Sequence, residues 1–286
     1  MTIAAGVPVF QRTKALKRFL DSVPANIVDE VIVADNGNID ERSQLYERGF
    51  DYDLQILNLD YDVGIGASRN AIANACDHDY LLVADNDMEV PCNIDILVEI
   101  MNKSDLGGIS GILSEQGCVR SGCRNIFFDD LLFDNKVLTI DIRAEPDSRS
   151  IAGHTVNIFD YITNASIIRK ECFEDYGWDA ELVDNEHLDF YTGHYVHTDW
   201  DFAVCSEVVF PHHKFTSTNY RRSHRKDTDK QKNANEKFKR KWQIDEIIWG
   251  ARQEWIDTRA VPDHYIRSKL RTISPTSLVY LYNNYI

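Results

Sequence analysis

The stretch YLLVADNDMEV, Tyr80 to Val90, places an apolar run directly before the polar residues Asp85, Asn86 and Asp87. A short apolar run bounded by turn residues is typical of a buried strand. Where such a strand gives way to a turn, the alternation of side chains relaxes and two carboxylates one residue apart can reach the same volume. Mg²⁺ and Mn²⁺ prefer such oxygen ligands and often take only one or two from protein, with phosphate oxygens completing the shell. The stretch therefore predicts a cation site at the end of a central strand.

The residues on either side of this stretch alternate short apolar runs with helical patterns. Predicted strands are IAAGVPVF, DEVIVADNG and DLQILNLD, and predicted helices are TKALKRFLDSV, GIGASRNAIANACD and NIDILVEIMNKS. Strands rich in Val, Ile and Leu that are separated by helices indicate an α/β fold with a mainly parallel sheet covered on both faces. Polar residues follow two of these strands, at Asp35 and Asp85, and ligands of open α/β sheets bind at that edge.

Beyond residue ~110 the pattern is less regular. VLTIDI, VNIFDYITNASIIR and DFAVCSEVVF resemble strands, with helices near Cys172 to Tyr176 and Asn185 to Tyr195. A mixed or antiparallel extension of the first sheet is the simplest interpretation. From residue 223 the composition becomes polar and helix-prone, which predicts one or two amphipathic helices packed on the main body. The basic run YRRSHRKDTDK, Tyr220 to Lys230, is interpreted as a solvated face or a loop that closes over an anion.

Composition excludes several classes of protein. The chain has 286 residues, 31 basic and 46 acidic, and a formal charge of −15, which disfavours binding to nucleic acid. No secretion signal or transmembrane stretch is evident, so a cytoplasmic protein is expected, with a peripheral membrane contact of the C-terminal tail left open. In that compartment the six cysteines are expected to be reduced.

Four motifs occur in a meaningful order between residues 7 and 90: VPVFQR, EVIVADNG, DVGIGASRNAIANA and YLLVADND. Each alone is weak, because Asp and Gly are common in turns and an arginine on a helix is usually solvated. Together they resemble the nucleotide-sugar-binding half of GT-A glycosyltransferases, specifically the inverting family 2. The resemblance implies a Rossmann-like GT-A fold with a central mixed, mainly parallel sheet. It also implies a catalytic domain over residues 1–222, divided into a donor half (1–110) and an acceptor half (111–222), and a helical extension over 223–286.

The resemblance assigns roles to residues of these motifs. Asp35 would hydrogen-bond the base or ribose, and Asp85 with Asp87 would serve the nucleotide and the cation. The remaining residues implied to contact the donor are Pro8, Phe10 and Arg12 at the nucleoside, Gly64, Arg69 and Asn70 beside the diphosphate-sugar, and Asn86 at the nucleotide.

The acceptor half offers the segment GWDAELVDNEHLDFYTGH, Gly177 to His194. It is similar to the acceptor-side motif of β-1,4-N-acetylgalactosaminyltransferases, in which a carboxylate accepts the proton of the acceptor hydroxyl. We expect Glu186 to be this general base, with Asp189 as the alternative on nearly the same helical face. His187 stands where the family's E-D pattern has an aspartate, which leaves the identity of the base open. Trp178 suits either a sugar face or the core.

A histidine doublet, His212 and His213, follows the predicted strand VVF. Family members commonly take a third metal ligand from such a place, and imidazole together with carboxylate favours Mn²⁺ over Mg²⁺. His194 and His197 are alternatives at a helical i, i+3 spacing. NEKFKRKW, further along, resembles the F-x-x-K-W element that closes many family 2 catalytic domains.

The leading hypothesis is a metal-dependent inverting glycosyltransferase that moves a sugar from a UDP-sugar to a hydroxyl of a glycan or lipid-linked glycan. One alternative is a nucleotidyltransferase of similar topology, although VPVFQRTKAL lacks the glycines of its usual loop. A second is a non-catalytic module that binds nucleotide or carbohydrate.

Overall fold

A ten-stranded mixed sheet forms the centre of the fold, and a second sheet has three strands. The computed structural model describes residues 1–131, 135–143, 145–182, 185–213, 228–249 and 255–258. The order of the large sheet is β3-β2-β1-β4-β11-β5-β12-β10-β9, with β6 paired to β5. The predicted α/β fold with a mixed sheet is confirmed.

The first four strands are parallel and belong to the donor half. They are β1 (Ile3–Val9), β2 (Glu30–Asp35), β3 (Asp53–Asn58) and β4 (Tyr80–Val83). The helices of this half are α1 (Thr13–Ser22), the short α2 (Ser43–Tyr46), α3 (Ile65–Ala75) and α4 (Asp95–Asn102). Because helices cover both faces, β1 and β4 are buried at every residue and read as continuous apolar runs. Every predicted strand and helix of this half is present.

The acceptor half continues the sheet with strands of both directions. β11 lies antiparallel between β4 and β5, β12 is parallel to β5, and β10 and β9 follow as antiparallel neighbours. Their bounds are β5 (Gly108–Glu115), β6 (Cys118–Arg120), β9 (Asp147–Ile151), β10 (His154–Phe159), β11 (Ser166–Arg169) and β12 (Phe202–Pro211). Helices α5 (Lys170–Asp175) and α6 (Glu186–His197) lie at the two predicted positions.

The three-stranded sheet joins the acceptor half to the end of the described chain. β7 (Asn125–Leu131) pairs antiparallel with β8 (Asn135–Asp141), and β13 (Glu246–Trp249) pairs parallel with β8. Helix α7 (Thr228–Trp242) precedes β13. Within residues 223–286, which are predicted to form a helical extension, α7 is a helix and EIIW, with its β-branched pair, is a strand. Residues 214–227 with most of the basic run, and residues 259–286 with the tail, lie outside the described residues.

Close packing of α3 on β1 fixes the floor of the site. A Cβ on Gly6 of β1 would lie 2.4 Å from Cγ2 of Ile72 on α3, so only glycine permits this approach. The approach brings Arg69, on the same helix, toward the end of β4. All six cysteines are free thiols, as expected. None of the helices in the described part of the chain has the length and hydrophobicity that crossing a bilayer requires.

Candidate active site

A cavity of about 200 Å³ opens at the carboxyl ends of β1, β2 and β4. Most of the predicted donor residues line it. The lining consists of Pro8, Val9, Phe10, Gln11, Arg12, Asn36, Asp62, Gly64, Ile65, Asp85, Asn86, Asp87 and His212. This is the edge where ligands of open α/β sheets bind, and the side chains around it are mainly polar.

Asp87 lies on one wall of the cavity, between the guanidinium of Arg12 and the imidazole of His212. Its Oδ2 accepts a hydrogen bond from Nη1 of Arg12 at 2.5 Å, and its Oδ1 lies 3.4 Å from Nε2 of His212. Nδ1 of His212 lies 2.6 Å from Oε1 of Glu115. Burial lowers the pKa of the His212 imidazole, but the hydrogen bonds and charges of Asp87 and Glu115 outweigh burial and leave the pKa raised.

Asp87 and His212 fit a divalent cation by their chemistry. A histidine that ligates a metal almost always donates its other ring N–H to a carboxylate, a backbone carbonyl or water, and the carboxylate of Glu115 occupies that position here. In the described part of the chain no group of three or more His, Cys, Asp or Glu side chains is arranged to hold a metal. Two protein ligands with phosphate oxygens are nevertheless a common set for Mn²⁺ and Mg²⁺.

Arg69 joins the donor side of the site to the acceptor side. Its Nη2 donates to Oδ1 of Asp85 at 3.0 Å and its Nη1 donates to Oε1 of Glu186 at 3.1 Å. Asn164 donates to the other oxygen of Asp85 at 3.2 Å. Arg69 and Glu186 are buried, whereas the Asp85 side chain is 31% exposed. We call Arg69, Asp85, Glu186 and Asn164 the Arg69 cluster.

The Arg69 cluster sets the charge of Asp85. Burial raises the pKa of the Asp85 carboxyl, but the positive charge of Arg69 and the hydrogen bonds from Asn164 and Arg69 outweigh it, so the pKa lies below its usual value. Each carboxylate oxygen can accept more than one hydrogen bond. Asp85 therefore keeps capacity for a ligand in the cavity. Arg69 itself is absent from the lining of the cavity and bridges two carboxylates, and its predicted place beside the diphosphate-sugar stays a prediction.

Asp35, which is predicted to hydrogen-bond the base or ribose, lies in a buried ion pair with Arg42. It is fully buried and accepts hydrogen bonds from Nε and Nη2 of Arg42 at 2.6 and 2.5 Å and from the hydroxyl of Tyr46 at 2.6 Å. The backbone N–H of Gly37 donates to it as well. We call Asp35, Arg42 and Tyr46 the Arg42 cluster. The neighbouring Asn36 lines the cavity in place of Asp35.

Asn70 also departs from its predicted role. Its Nδ2 donates to the backbone oxygen of Trp178 at 2.6 Å, and its Oδ1 accepts from the backbone N–H of Trp178 at 3.0 Å. The Trp178 indole is buried and stacks on Phe190, with ring centroids 4.6 Å apart. Asn70 therefore fastens α3 to the segment that precedes α6, and Trp178 belongs to the core.

Glu186 begins α6, with Asn185 as its N-cap residue. Carboxylates in the first turn of a helix are stabilised by the partial positive charge at that end. Glu186 faces Arg69, as required of a residue that shares a cleft with Asp85. Its neighbour His187 has Nε2 2.9 Å from the carbonyl oxygen of Ile162, which fixes the proton on that nitrogen. Burial, then the charge of Arg69, lowers the pKa of His187 to about 3, so the imidazole is neutral and weakly basic.

Asp189 lies one turn beyond Glu186 and faces away from the cavity. It is fully buried and accepts hydrogen bonds from Nζ of Lys241 at 2.8 Å, Nε1 of Trp242 at 2.8 Å and the hydroxyl of Tyr176 at 3.1 Å. Burial raises the pKa of the Asp189 carboxyl despite these donors. Asp189 holds the end of α7, so its role as the alternative base is not supported. The K-W pair of the motif in α7 supplies two of the three donors.

The two histidines of the doublet are separated by the geometry. His212 lines the cavity, whereas Nε2 of His213 lies 2.6 Å from Oε1 of Glu89 and His213 is absent from the lining. His212 is therefore the better placed of the two for a metal at the cavity, and His213 is a partner of Glu89. His194 is fully buried inside α6, away from these residues.

Sequence reasoning missed four residues that shape the site. Asn36 and Asp62 line the cavity, Asn164 holds Asp85, and Glu115 orients His212. Asn36 follows the strand-ending Asp35 in the sequence, so its place at the sheet edge is a signal that could have identified it. Asn164 and Glu115 lie on distant parts of the chain and carry no local signal.

The parallel half-sheet, the cavity at its carboxyl edge and the acidic residues around it define an α/β protein with a ligand site at the edge of its sheet. Residues 5–177, more than half of the chain, match the model of glycosyl transferase family 2. The chain therefore belongs to glycosyl transferase family 2. A search of curated proteins finds no match.

Solved structures show the same fold. The chain is similar to residues 1–349 of S. aureus TarS in complex with UDP-GlcNAc, with a TM-score of 0.55 and 15% identity over 76% of this chain and 60% of that one. It is also similar to GalNAc-T7 with UDP, GalNAc and Mn²⁺, with a TM-score of 0.57 and 11% identity over 76% of this chain and 44% of that one. The predicted GT-A fold is confirmed. The resemblance to β-1,4-N-acetylgalactosaminyltransferases stays a prediction.

Proposed function

We propose that this chain catalyses metal-dependent transfer of a sugar from a UDP-sugar to an acceptor hydroxyl, with inversion at the anomeric carbon. The observation that carries the proposal is the double ion pair of Arg69. It brings Asp85, which lines the cavity, and Glu186, at the start of α6, to one guanidinium at 3.0 and 3.1 Å. A carboxylate of the cavity and a candidate general base are thus held by one side chain.

We assign different parts of the cavity to the parts of the donor. Pro8, Phe10 and Asn36, which line the cavity together with Asp62, are assigned to the nucleoside. Gly64, at a φ of 95° before α3, leaves open space beside the backbone, which suits a diphosphate near the start of a helix. The complexes of TarS with UDP-GlcNAc and of GalNAc-T7 with UDP support a UDP-linked donor.

Asp87 and His212 are the residues that would hold Mn²⁺ or Mg²⁺, with Asp85 beside them. When bound, the cation would supply positive charge to the leaving diphosphate. Arg12, which now contacts Asp87, is long enough to donate to a phosphate oxygen from the same wall. The Mn²⁺ named with GalNAc-T7 supports Mn²⁺ as the cation.

Glu186 is the proposed general base. It accepts the proton of the acceptor hydroxyl while the hydroxyl oxygen bonds to the anomeric carbon. The bond from that carbon to the diphosphate oxygen breaks, and its electron pair leaves with the nucleotide. Arg69 orients the Glu186 carboxylate toward this reaction. One displacement completes the transfer, so no covalent enzyme intermediate forms.

Release of UDP from a panel of UDP-sugars, with and without Mn²⁺, tests this proposal. We expect slow metal-dependent release without acceptor and faster release with one. Asp87→Asn should lower the Mn²⁺-dependent rate of UDP release by more than ~10²-fold. Loss of even an outer-shell partner of a metal ligand costs ~10–100-fold in metal affinity or activity. Glu89→Gln is a matched control, because Glu89 contacts His213 outside the cavity.

The outcomes separate the alternatives. Unchanged metal-dependent turnover in Asp87→Asn would refute the metal assignment. Pyrophosphate release from a nucleoside triphosphate would indicate a nucleotidyltransferase. Binding of UDP-sugars without any turnover would indicate a binding module.

A further inference from the structure

A second groove lies between α6, α7 and β13, outside the donor cavity. It encloses about 280 Å³ and shares no lining residue with the donor cavity. The residues that matter here are Asn185, Lys232, Asn235, Lys239, Glu246 and Trp249. We call it the Trp249 groove. Its volume is just below the ~300 Å³ at which pockets for drug-sized ligands begin, which suits a short saccharide.

The Trp249 groove has the chemistry of a carbohydrate site. The Trp249 side chain is 48% exposed, so its indole face is open to a ligand. An aromatic ring of this kind packs on the apolar face of a sugar while its surroundings stay wet. Nδ2 of Asn185 donates to Oδ1 of Asn235 at 2.6 Å. Among the described residues, the Oδ1 of Asn185 and the Nδ2 of Asn235 have no hydrogen-bond partner, and a hydroxyl can donate to the one and accept from the other.

The charges of the groove favour a neutral ligand. Lys232 and Lys239 are balanced by Glu236 and Glu246, which also line the groove. Nζ of Lys239 lies 3.8 Å from Glu236 and 3.7 Å from Glu246, too far for strong hydrogen bonds, so its N–H groups remain able to reach a hydroxyl. The chain as a whole carries a formal charge of −15, which repels anions.

The position of the groove connects it to the reaction. Asn185 lines the groove and is followed directly by Glu186, the proposed base. Glu186 in turn is joined through Arg69 to Asp85 on the wall of the donor cavity. The groove therefore adjoins, through Asn185, the residue proposed as the base.

We propose that the Trp249 groove binds a neutral saccharide and is the acceptor subsite of this enzyme. Its assignment to the acceptor rests on the proposed function, whereas saccharide binding by the groove does not.

The test is binding of wild type and Trp249→Ala to an array of neutral mono- to tetrasaccharides and of the same glycans bearing carboxylate or phosphate groups. We expect neutral glycans to bind the wild type, and we expect Trp249→Ala to lower their affinity by about ten-fold, the usual scale of one lost aromatic contact. Asn235→Ala should also lower the affinity for these glycans. Tyr195→Ala is the matched control, because Tyr195 is an aromatic of similar exposure, 43%, that does not line the groove.

Three results would overturn the proposal: no glycan bound by wild type, binding of charged glycans alone, or equal affinity in wild type and Trp249→Ala. UDP binding is measured in parallel on the wild type. Glycan binding that depends on Trp249, with no UDP binding, would refute the donor proposal and leave the groove standing. UDP binding without any Trp249-dependent glycan binding would refute the groove proposal and leave the donor proposal standing.

Discussion

The Arg42 and Arg69 clusters are alike in composition and differ in what surrounds them. Each sets an arginine against an aspartate at the end of a parallel strand: Asp35 is the last residue of β2, and Asp85 lies just after β4. In the Arg42 cluster the side chains of Asp35 and Arg42 are fully buried, whereas the Asp85 side chain is 31% exposed and borders the cavity. Arg42 thus closes the end of β2 to ligands. Arg69 holds Asp85 at the end of β4 but leaves its carboxylate accessible from the cavity. Exposure of the carboxylate, rather than the ion pair, distinguishes a structural aspartate from one available to a ligand.

Removal of Arg42 is the largest expected effect on stability. Arg42→Met leaves the carboxylate of Asp35 buried without its cation, and breaking a buried pair in this way costs ~3–5 kcal/mol of unfolding free energy. Arg69→Met should cost less, because Asp85 can turn to water and the start of α6 still stabilises the buried carboxylate of Glu186. It should also reduce sugar transfer by releasing Glu186 and Asp85 from each other. Denaturation in urea and UDP release measure the two effects. Equal loss of stability in both variants would contradict the distinction between a sealed and an open cluster.

The two carboxylates of α6 extend the comparison to the acceptor half. Glu186→Gln should lower transfer by about 10²-fold, since a lost general base typically costs that much, with donor affinity retained. Asp189→Asn should instead lower the unfolding free energy by ~1–3 kcal/mol, because the amide cannot satisfy the donors of Lys241, Trp242 and Tyr176 together. Steady-state kinetics and thermal unfolding of the pair decide the assignment. Loss of transfer at unchanged stability in Asp189→Asn would make Asp189 the base.

The sequence predicts the donor half well because its signals are local. Apolar runs, helical periods and strand-ending polar residues all lie within a few positions of one another, and they place Asp85, Asp87 and Phe10 at the sheet edge.

Long-range contacts explain what sequence reasoning could not reach. The sequence around Asp189 does not indicate its contacts with Lys241 and Trp242, which lie 52 and 53 residues away. Glu115 orients His212 across 97 residues. Asp35 and Arg42 are only seven residues apart, but no periodic pattern links them, since the turn between β2 and α2 sets their geometry. Roles that depend on such contacts require the tertiary structure.

The smallest expected effects come from removing one uncharged hydrogen-bond donor from each of the two aspartates. Tyr46→Phe removes a hydroxyl that donates to fully buried Asp35 at 2.6 Å, and should cost ~1.5–3 kcal/mol, the usual contribution of a hydrogen bond to a charged group. Asn164→Ala removes the longer 3.2 Å hydrogen bond to Asp85 and should cost less than ~1 kcal/mol, since water can reach this partly exposed carboxylate. The pKa of Asp85 is lowered in the folded protein, so its contribution is present above its unfolded pKa of ~3.9 and is lost as pH falls through the folded pKa. The difference between Asn164→Ala and wild type should therefore shrink in urea titrations below about pH 4. A penalty for Asn164→Ala as large as that for Tyr46→Phe would mean that Asp85 is as sealed as Asp35, and the cavity would then lack the open carboxylate on which donor binding depends.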